Sequence, residues 1–314
     1  MISYGDPCRP GFGVVAIVPA LDEQIAVGAT VAALLRAGVK SVVVVDDGST
    51  DSTGRAAADA GAVVVRREQT GGKGAAIADG LTLARVRTLE RIRDRVPSAS
   101  QSPAQLPAQL PAQLPARAPA EPSAGPPVGP PAGLPAGLPA GLPAGLPARA
   151  RDRDPRVQAD LGCVVFADAD LGDSAEEISK VIAPVAAGLA DMAIAGFPAA
   201  PGSGFGLAVG LARAGVRCLC GVNLAWPLSG QRALRADKVF TMMDAGARME
   251  RGFGFEVGLT VDWLRAGYSL IEVPTLMTHR ATGRTIAGFA HRGRQFAAVA
   301  RALAMRVWGV NSTP

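Results

Sequence analysis

Cys163-Val-Val-Phe-Ala-Asp168-Ala-Asp170 runs five apolar residues into two carboxylates. The apolar run reads as a central strand buried on both faces. Carboxylates at the end of such a strand are costly away from water unless something compensates them. Side chains two apart on an extended chain point the same way, so Asp168 and Asp170 converge. Two hard oxygen ligands at the carboxyl end of a parallel strand suit Mg²⁺ or Mn²⁺. That edge of an open α/β sheet is also where ligands bind. The same pattern alone also fits a solvated turn, and the rest of the chain decides between the two.

Immediately before this stretch the composition changes. Residues 97–155 hold 16 of the 25 prolines, in tandem Pro-Ala-Gln-Leu and Ala-Gly-Leu-Pro repeats. Proline at every fourth position removes backbone donors and forbids helix and sheet ladders. The segment is expected to be an extended, disordered insertion. Because it lies directly before the 162–167 strand, it interrupts one domain rather than joining two. The expected organisation is a nucleotide-binding part at 13–96, the insertion at 97–157, a metal and acceptor part at 158–285, and a basic amphipathic helix at 286–314.

With the insertion set aside, the flanks alternate between strand and helix. The periodicity predicts a strand at 14–18, a helix near 24–37, a strand at 41–45, a helix near 51–60 and a strand at 62–65. A long helix follows from 72 to about 95. Beyond the insertion come the 162–167 strand, a helix near 174–188, a strand at 191–196 and a helical stretch near 206–220. Such alternation implies a mostly parallel sheet with helices on both faces.

Three further turns carry polar chemistry. The first strand leads into Pro19-Ala20-Leu-Asp22-Glu23, and the second into Asp46-Asp-Gly-Ser-Thr-Asp51. With Asp168 and Asp170, three strands then present acids at one sheet edge, which a shared site explains. Asp46 can accept from a ribose hydroxyl or a base imide. Ser49 or Asp51 would cap the next helix. Gly71-Gly-Lys73-Gly opens a helix, where the helix start favours anions and Lys73 can reach a phosphate. The spacing is not that of a Walker loop.

These four motifs, Val18-Pro-Ala-Leu-Asp-Glu23, Val45-Asp-Asp-Gly-Ser-Thr-Asp51, Gly71-Gly-Lys-Gly-Ala-Ala76 and Phe166-Ala-Asp-Ala-Asp170, resemble the successive motifs of GT-A glycosyltransferases of the family 2 type. Dolichyl-phosphate and polyprenyl-phosphate sugar transferases belong to that group. The resemblance implies a nucleotide-diphospho-sugar transferase fold. It implies that Asp22 or Glu23, with Asp46, bind the nucleoside; the family turn usually has Asn where Asp22 stands. It further implies that Asp168 and Asp170 hold the metal that bridges the donor diphosphate, a Lewis acid for the departing group.

The second part supplies the acceptor side. Leu228-Ser-Gly-Gln-Arg232 resembles the family's acceptor loop, and Arg232 could contact a donor or acceptor phosphate. Glu256 falls in the first turn of a predicted helix, where the dipole favours a carboxylate. Its functional reading is a base or acceptor-orienting group, needed for a hydroxyl acceptor but not for a phosphate. His279 follows a strand predicted at 269–273 and sits in Thr278-His-Arg280-Ala-Thr-Gly-Arg284. By resemblance to glucosyl-3-phosphoglycerate synthases it is a candidate third metal ligand. Arg280 and Arg284 are candidate phosphate clamps.

The totals bound the function class. The 314 residues are 48% hydrophobic but only 4% aromatic, with four scattered cysteines and a net charge of +5. Cys218-Leu-Cys220 lacks the second pair of a zinc site, and a reduced, cytoplasmic setting is expected. No basic leader or membrane-length apolar run is visible. After Glu272 there are six arginines, both histidines and no acid. That asymmetry suggests an anionic partner. Nucleic acid is disfavoured because interleaved stacking aromatics are missing. The final helix, with Phe289, Phe296, Val299, Leu303 and Val307 near helical spacing, can lie on an anionic membrane or pack on the domain.

The expectation is therefore a metal-dependent hexosyltransferase that uses a nucleotide-sugar donor. The preferred acceptor is a polyprenyl phosphate, with peripheral contact at the inner face of a membrane. The alternatives are a transferase with a small soluble acceptor, like glucosyl-3-phosphoglycerate synthase, and a nucleotidyltransferase.

Overall fold

The computed structural model describes residues 12–95, 161–197, 206–247, 250, 252–279 and 286–307. The 97–157 insertion, Arg280 and Arg284 lie outside them. In chain order the elements are β1 (Val14–Ala20), α1 (Val27–Arg36), β2 (Ser41–Asp46), α2 (Thr53–Asp59), β3 (Val63–Arg66), α3 (Lys73–Arg95) and β4 (Cys163–Phe166). A 3-10 helix (Gly172–Glu177), α4 (Ile178–Ala186), β5 (Met192–Gly196), α5 (Gly206–Cys220), β6 (Arg232–Arg235) and α6 (Ala236–Asp244) follow. A second 3-10 turn (Gly252–Gly254), α7 (Phe255–Arg265), β7 (Leu270–Pro274) and α8 (Ile286–Val307) complete the described chain.

The seven strands form one sheet in the order β3-β2-β1-β4-β6-β5-β7. All pairs are parallel except those of β6, which runs antiparallel to both β4 and β5. The fold is thus the mostly parallel α/β architecture expected from the sequence. Alternate side chains of the central strands face opposite layers. Ala16, Val18, Val42, Val44, Cys163 and Val165 pack with α1 and α4, whereas Ile17, Val43, Val45, Val164 and Phe166 pack with α3, α6 and α7. Strands buried on both sides need apolar residues at every position, which is why they read as unbroken apolar runs. Burial also pushes the Cys163 thiol up to about 12, so it serves as a packing residue.

Three local features depart from the sequence reading. First, β1 continues through Pro19 to Ala20. Proline lacks a ladder donor, but β4 pairs with β1 only as far as Ile17 opposite Phe166, so that side of the ladder has ended before Pro19. Second, β6 and α6 were not anticipated. Only two of the four residues of β6 are apolar, and both its termini are arginines.

Third, the described apolar side chains of α8 lie partly within the domain. Val299, Ala302 and Leu303 are buried with residues of α5 and α7. Near its end Arg306 Nε donates to Asp262 Oδ1 at 2.8 Å, and its guanidinium also bonds Glu250. Phe296 and Val307 remain exposed, whereas the side chains of Phe289 and Arg294 lie outside the described set. Among the described side chains, Val299, Ala302 and Leu303 are thus taken up by the domain. No helix among the described residues is long and apolar enough to cross a membrane.

Candidate active site

Register brings the acidic strand ends together. Ala20 pairs with Asp46, and Ile17 pairs with Phe166, so the turns that follow β1, β2 and β4 share one sheet edge. Asp168 and Asp170 leave that edge after β4, and His279 meets them from the segment after β7. Ligand atoms of Asp168, Asp170 and His279 lie within 4.8 Å of one another. Two carboxylates and an imidazole on this scale fit a hard divalent cation such as Mg²⁺ or Mn²⁺.

The turn that carries the two aspartates is fastened from below. Thr30 of α1 donates to the Ala169 carbonyl at 2.8 Å and accepts from Gly172 N at 2.8 Å. One buried hydroxyl therefore fixes the turn between Asp168 and Asp170. Ser174, in the 3-10 helix beyond, donates to the Leu171 and Thr278 carbonyls and accepts from Thr278 N. That clasp carries the β7 exit, and with it His279, to the aspartates. His279 Nδ1 lies 3.1 Å from Asp170 Oδ1, and its ring stacks at 5.0 Å on Phe197. The hydrogen bond to Asp170 raises the His279 pKa, and the partial burial that opposes it is weaker.

Lys73, the first residue of α3, lies at the centre. Its Nζ is 2.6 Å from Asp168 Oδ1 and 2.8 Å from Glu256 Oε1. Burial would lower the Lys73 pKa, yet the two carboxylates outweigh it and raise the value. Burial likewise pushes Asp168 up, but the Lys73 ammonium and the Gln231 amide hold its carboxyl below the ordinary range. Gln231 Nε2 donates to Asp168 Oδ2 at 2.6 Å. Gly230 lets these groups meet, because a Cβ there would fall 2.3 Å from Lys73 Nζ and 2.9 Å from Asp168 Oδ2.

The donor-side turns are cross-linked. Asp22 sits at φ 55° and accepts from Thr50 N at 2.8 Å, while Asp22 N donates to Ser49 Oγ. Glu23 N donates to Thr53 Oγ1 at 2.7 Å. Asp51 accepts from Thr53 N and from Gln24 N, so it serves both the start of α2 and the neighbouring turn. Asp47 accepts from Gly71 N and Gly72 N at 2.9 and 2.7 Å and anchors the glycine turn that launches Lys73. Asp46 is fully buried. Its Oδ1 accepts from Ser49 N, and Oδ2 has no hydrogen-bond donor, the nearest cation being Arg66 at 3.6 Å. Pro19 and Ala20 end β1 beside it, with the Ala20 carbonyl accepting from Asp47 N.

The acceptor side needs a correction at Arg232. It was expected to contact a phosphate, but its side chain is 0% exposed. The guanidinium donates to the Ser229 and Pro227 carbonyls at 2.8 and 3.0 Å and to Thr260 Oγ1 at 2.7 Å. Thr260 in turn donates to the Glu256 carbonyl. Arg232 therefore ties the 227–229 loop to α7. Burial pushes its pKa down to about 10 against the opposing pull of Glu256 and Glu272. Glu272 is half-buried, and its two oxygens accept from Ala225 N and Trp226 N at 2.8 and 2.6 Å. Trp226 Nε1 donates to the Phe197 carbonyl at 3.0 Å, so this loop also supports the ring that stacks on His279.

The structure thus brings Lys73, Asp168, Asp170, Glu256 and His279 together, with the 19–23 turn and Asp46 along the same edge. It places Arg232 behind them. Sequence reading missed Thr30 and Phe197, and it read Gly230 and Gln231 only as part of the 228–232 loop without giving either a role. The signal for Gly230 and Gln231 was that motif, a serine–glycine turn before a polar residue.

Comparison with known proteins agrees with this geometry. Residues 15–89 match the family model for glycosyl transferase family 2. An uncharacterized protein of Methanocaldococcus jannaschii is 40% identical over 68 residues, which cover 22% of this chain and 28% of that protein. The match therefore spans little more than a quarter of the curated relative. Among solved structures, glucosyl-3-phosphoglycerate synthase of Mycobacterium tuberculosis in complex with phosphoglyceric acid superposes with a TM-score of 0.59. The identity is 20%, and 95% of this chain and 81% of that one are covered. The same enzyme with Mn²⁺, UDP-glucose and phosphoglyceric acid gives 0.58 at 20% identity, covering 98% and 84%. Its complex with Mg²⁺ and UDP gives 0.57 at 19% identity, covering 95% and 80%. At such identities the likeness shows the fold. The chain therefore carries the GT-A fold, and its residues 15–89 are similar to glycosyl transferase family 2.

Proposed function

We propose that this chain is a divalent-metal-dependent glycosyltransferase that moves a sugar from a nucleotide-diphosphate donor to a small anionic acceptor. One observation carries the reading. Asp168, Asp170 and His279 converge at the strand edge where the family 2 half-sheet also ends. A cation held there, when bound, supplies Lewis-acid stabilisation of the leaving diphosphate.

The chain's own residues have distinct roles in this reading. Asp46, with the 19–23 turn, is assigned to the nucleoside side; its Oδ1 fixes the Ser49 amide, and its Oδ2 lies against Gly54 of α2 beside Arg66. Lys73 meets the diphosphate. Glu256, from the first turn of α7, orients a hydroxyl acceptor and takes its proton as the new C–O bond forms and the sugar–phosphate bond breaks. Arg280 and Arg284, outside the described residues, remain candidate phosphate clamps. Arg232 positions the acceptor loop and touches no substrate.

A small acceptor is preferred to a polyprenyl phosphate. The solved structures with this fold include complexes with phosphoglyceric acid. The lipid reading rested on the resembled polyprenyl-phosphate transferases and on the basic tail, and Val299, Ala302 and Leu303 of α8 are packed against α5 and α7. A nucleotidyltransferase would carry its glycine-rich loop directly after β1, whereas here that loop follows β3. The 97–157 segment is read as an insertion within one domain. Direct pairing of β1 with β4 across it supports that reading.

The acceptor is tested by incubating the chain with nucleotide-sugars and Mn²⁺ beside either a panel of phosphorylated small acids or vesicles bearing a polyprenyl phosphate. Glycosylated product with a soluble acid is expected. Product only with the vesicles would overturn the small-acceptor assignment.

A further inference from the structure

Asp168 is asked to serve two cations. In the free protein its Oδ1 is 2.6 Å from Lys73 Nζ, and its Oδ2 accepts from Gln231 Nε2 at 2.6 Å. Neither carboxylate oxygen is without a donor. Yet Asp168 is also one of the three side chains whose ligand atoms gather within 4.8 Å around Asp170 and His279. An ion ligated there would share one carboxylate with an ammonium. Like charges so placed, in a site partly shielded from water, repel strongly.

Lys73 has somewhere to go. Glu256 Oε1 is 2.8 Å from the same Nζ, and its side chain is only 8% exposed. The contact with Asp168 is permitted by Gly230, whose missing side chain leaves room for both groups. Lysine suits a movable counter-ion, because it is a compact charge on a flexible stem, whereas arginine would hold a fixed fork.

We infer that Lys73 is the resting counter-ion of the cation site: it pairs with Asp168 in the free protein and gives that carboxylate up when a divalent cation arrives. The released ammonium stays on Glu256, beside the position of the donor diphosphate. This rests on the nucleotide-sugar reading above. Two consequences follow. The protein alone binds the cation weakly. A nucleoside diphosphate, by drawing Lys73 away, tightens cation binding, and by linkage the cation tightens nucleotide binding equally.

The test measures Mn²⁺ binding to the full chain, without any sugar, by the electron paramagnetic resonance of free Mn²⁺. Lys73→Met and Lys73→Gln are made in parallel, each checked for the parent's circular dichroism, beside Lys73→Arg. Both neutral variants should bind Mn²⁺ at least about tenfold more tightly than the parent, since they remove a like charge beside a ligand. Lys73→Arg should retain weak binding. Saturating UDP should tighten Mn²⁺ binding more in the parent than in Lys73→Met. Unchanged or weaker affinity in the folded neutral variants would overturn the inference. Absence of Mn²⁺ binding from every form, with UDP or without, would overturn the metal-dependent reading itself, so the two failures are distinguishable.

Discussion

Replacing Arg232 with methionine separates a structural arginine from a substrate-binding one. The buried guanidinium makes three charge-assisted bonds, to the Ser229 and Pro227 carbonyls and to Thr260 Oγ1. At roughly 1.5–3 kcal/mol each, their loss is worth about 4–9 kcal/mol. Against this stands the cost of holding the charge out of water. It shows in a pKa pushed down to about 10 and corresponds to roughly 3 kcal/mol. The net expectation is a loss of about 4 kcal/mol, from leaving the buried Ser229 and Pro227 carbonyls and the Thr260 hydroxyl without their donor. For a unit of this size that lowers Tm by about 10 °C. Urea denaturation with calorimetry measures it, and methionine of similar length limits the cavity contribution. Stability within about 1 kcal/mol of the parent, with nucleotide or acceptor binding abolished, would refute the strut and restore a phosphate contact.

Other perturbations probe the neighbouring links. Gly230→Ala forces a methyl against Lys73 Nζ, the far end of a flexible side chain. The fold should survive with Tm within a few degrees while kcat falls at least about tenfold, equivalent to about 1.4 kcal/mol in the barrier, because the methyl displaces both the Lys73 ammonium and the Asp168 carboxylate; unchanged kcat would show that neither group needs that space. Leu303→Ala in α8 should destabilise by about 2–5 kcal/mol because that side chain is buried among α5 and α7. Lost liposome binding at unchanged stability would instead mean that the helix lies on membranes. The Asp170 bond raises His279, so the pair's contribution to stability is full below about pH 6.5 and is lost as pH rises through the higher folded value. A cation needs the neutral ring, so Mn²⁺ affinity should increase over that same rise. His279→Gln should flatten both trends, and parallel behaviour in that variant would assign the titration elsewhere.

The parts legible in the sequence were those set by local pattern. β1, β2 and β4 are central strands buried on both faces, so each announced itself as an unbroken apolar run. The acids at their ends lie along one sheet edge because a shared register follows from parallel pairing. β6 was illegible for the converse reason. It is four residues long with arginine at both ends, and it holds its place by antiparallel pairing with β4 and β5.

The polar links were hidden because they join residues distant in sequence. Nothing local tells that Lys73 meets Glu256, that Thr30 holds Ala169, or that Glu272 receives two amides of the 225–226 loop. Arg232 was misread because arginine is seldom fully buried, and only the tertiary loop geometry supplies the carbonyls that make its burial tolerable.

The central claim is a cation-dependent transfer from a nucleotide-sugar at Asp168, Asp170 and His279. It is tested most directly by nucleoside diphosphate release across a donor panel, with and without Mn²⁺ or Mg²⁺, for the parent chain and Asp170→Ala. The account predicts release that requires the metal and is lost in Asp170→Ala. Metal-independent release that Asp170→Ala leaves unchanged would contradict it.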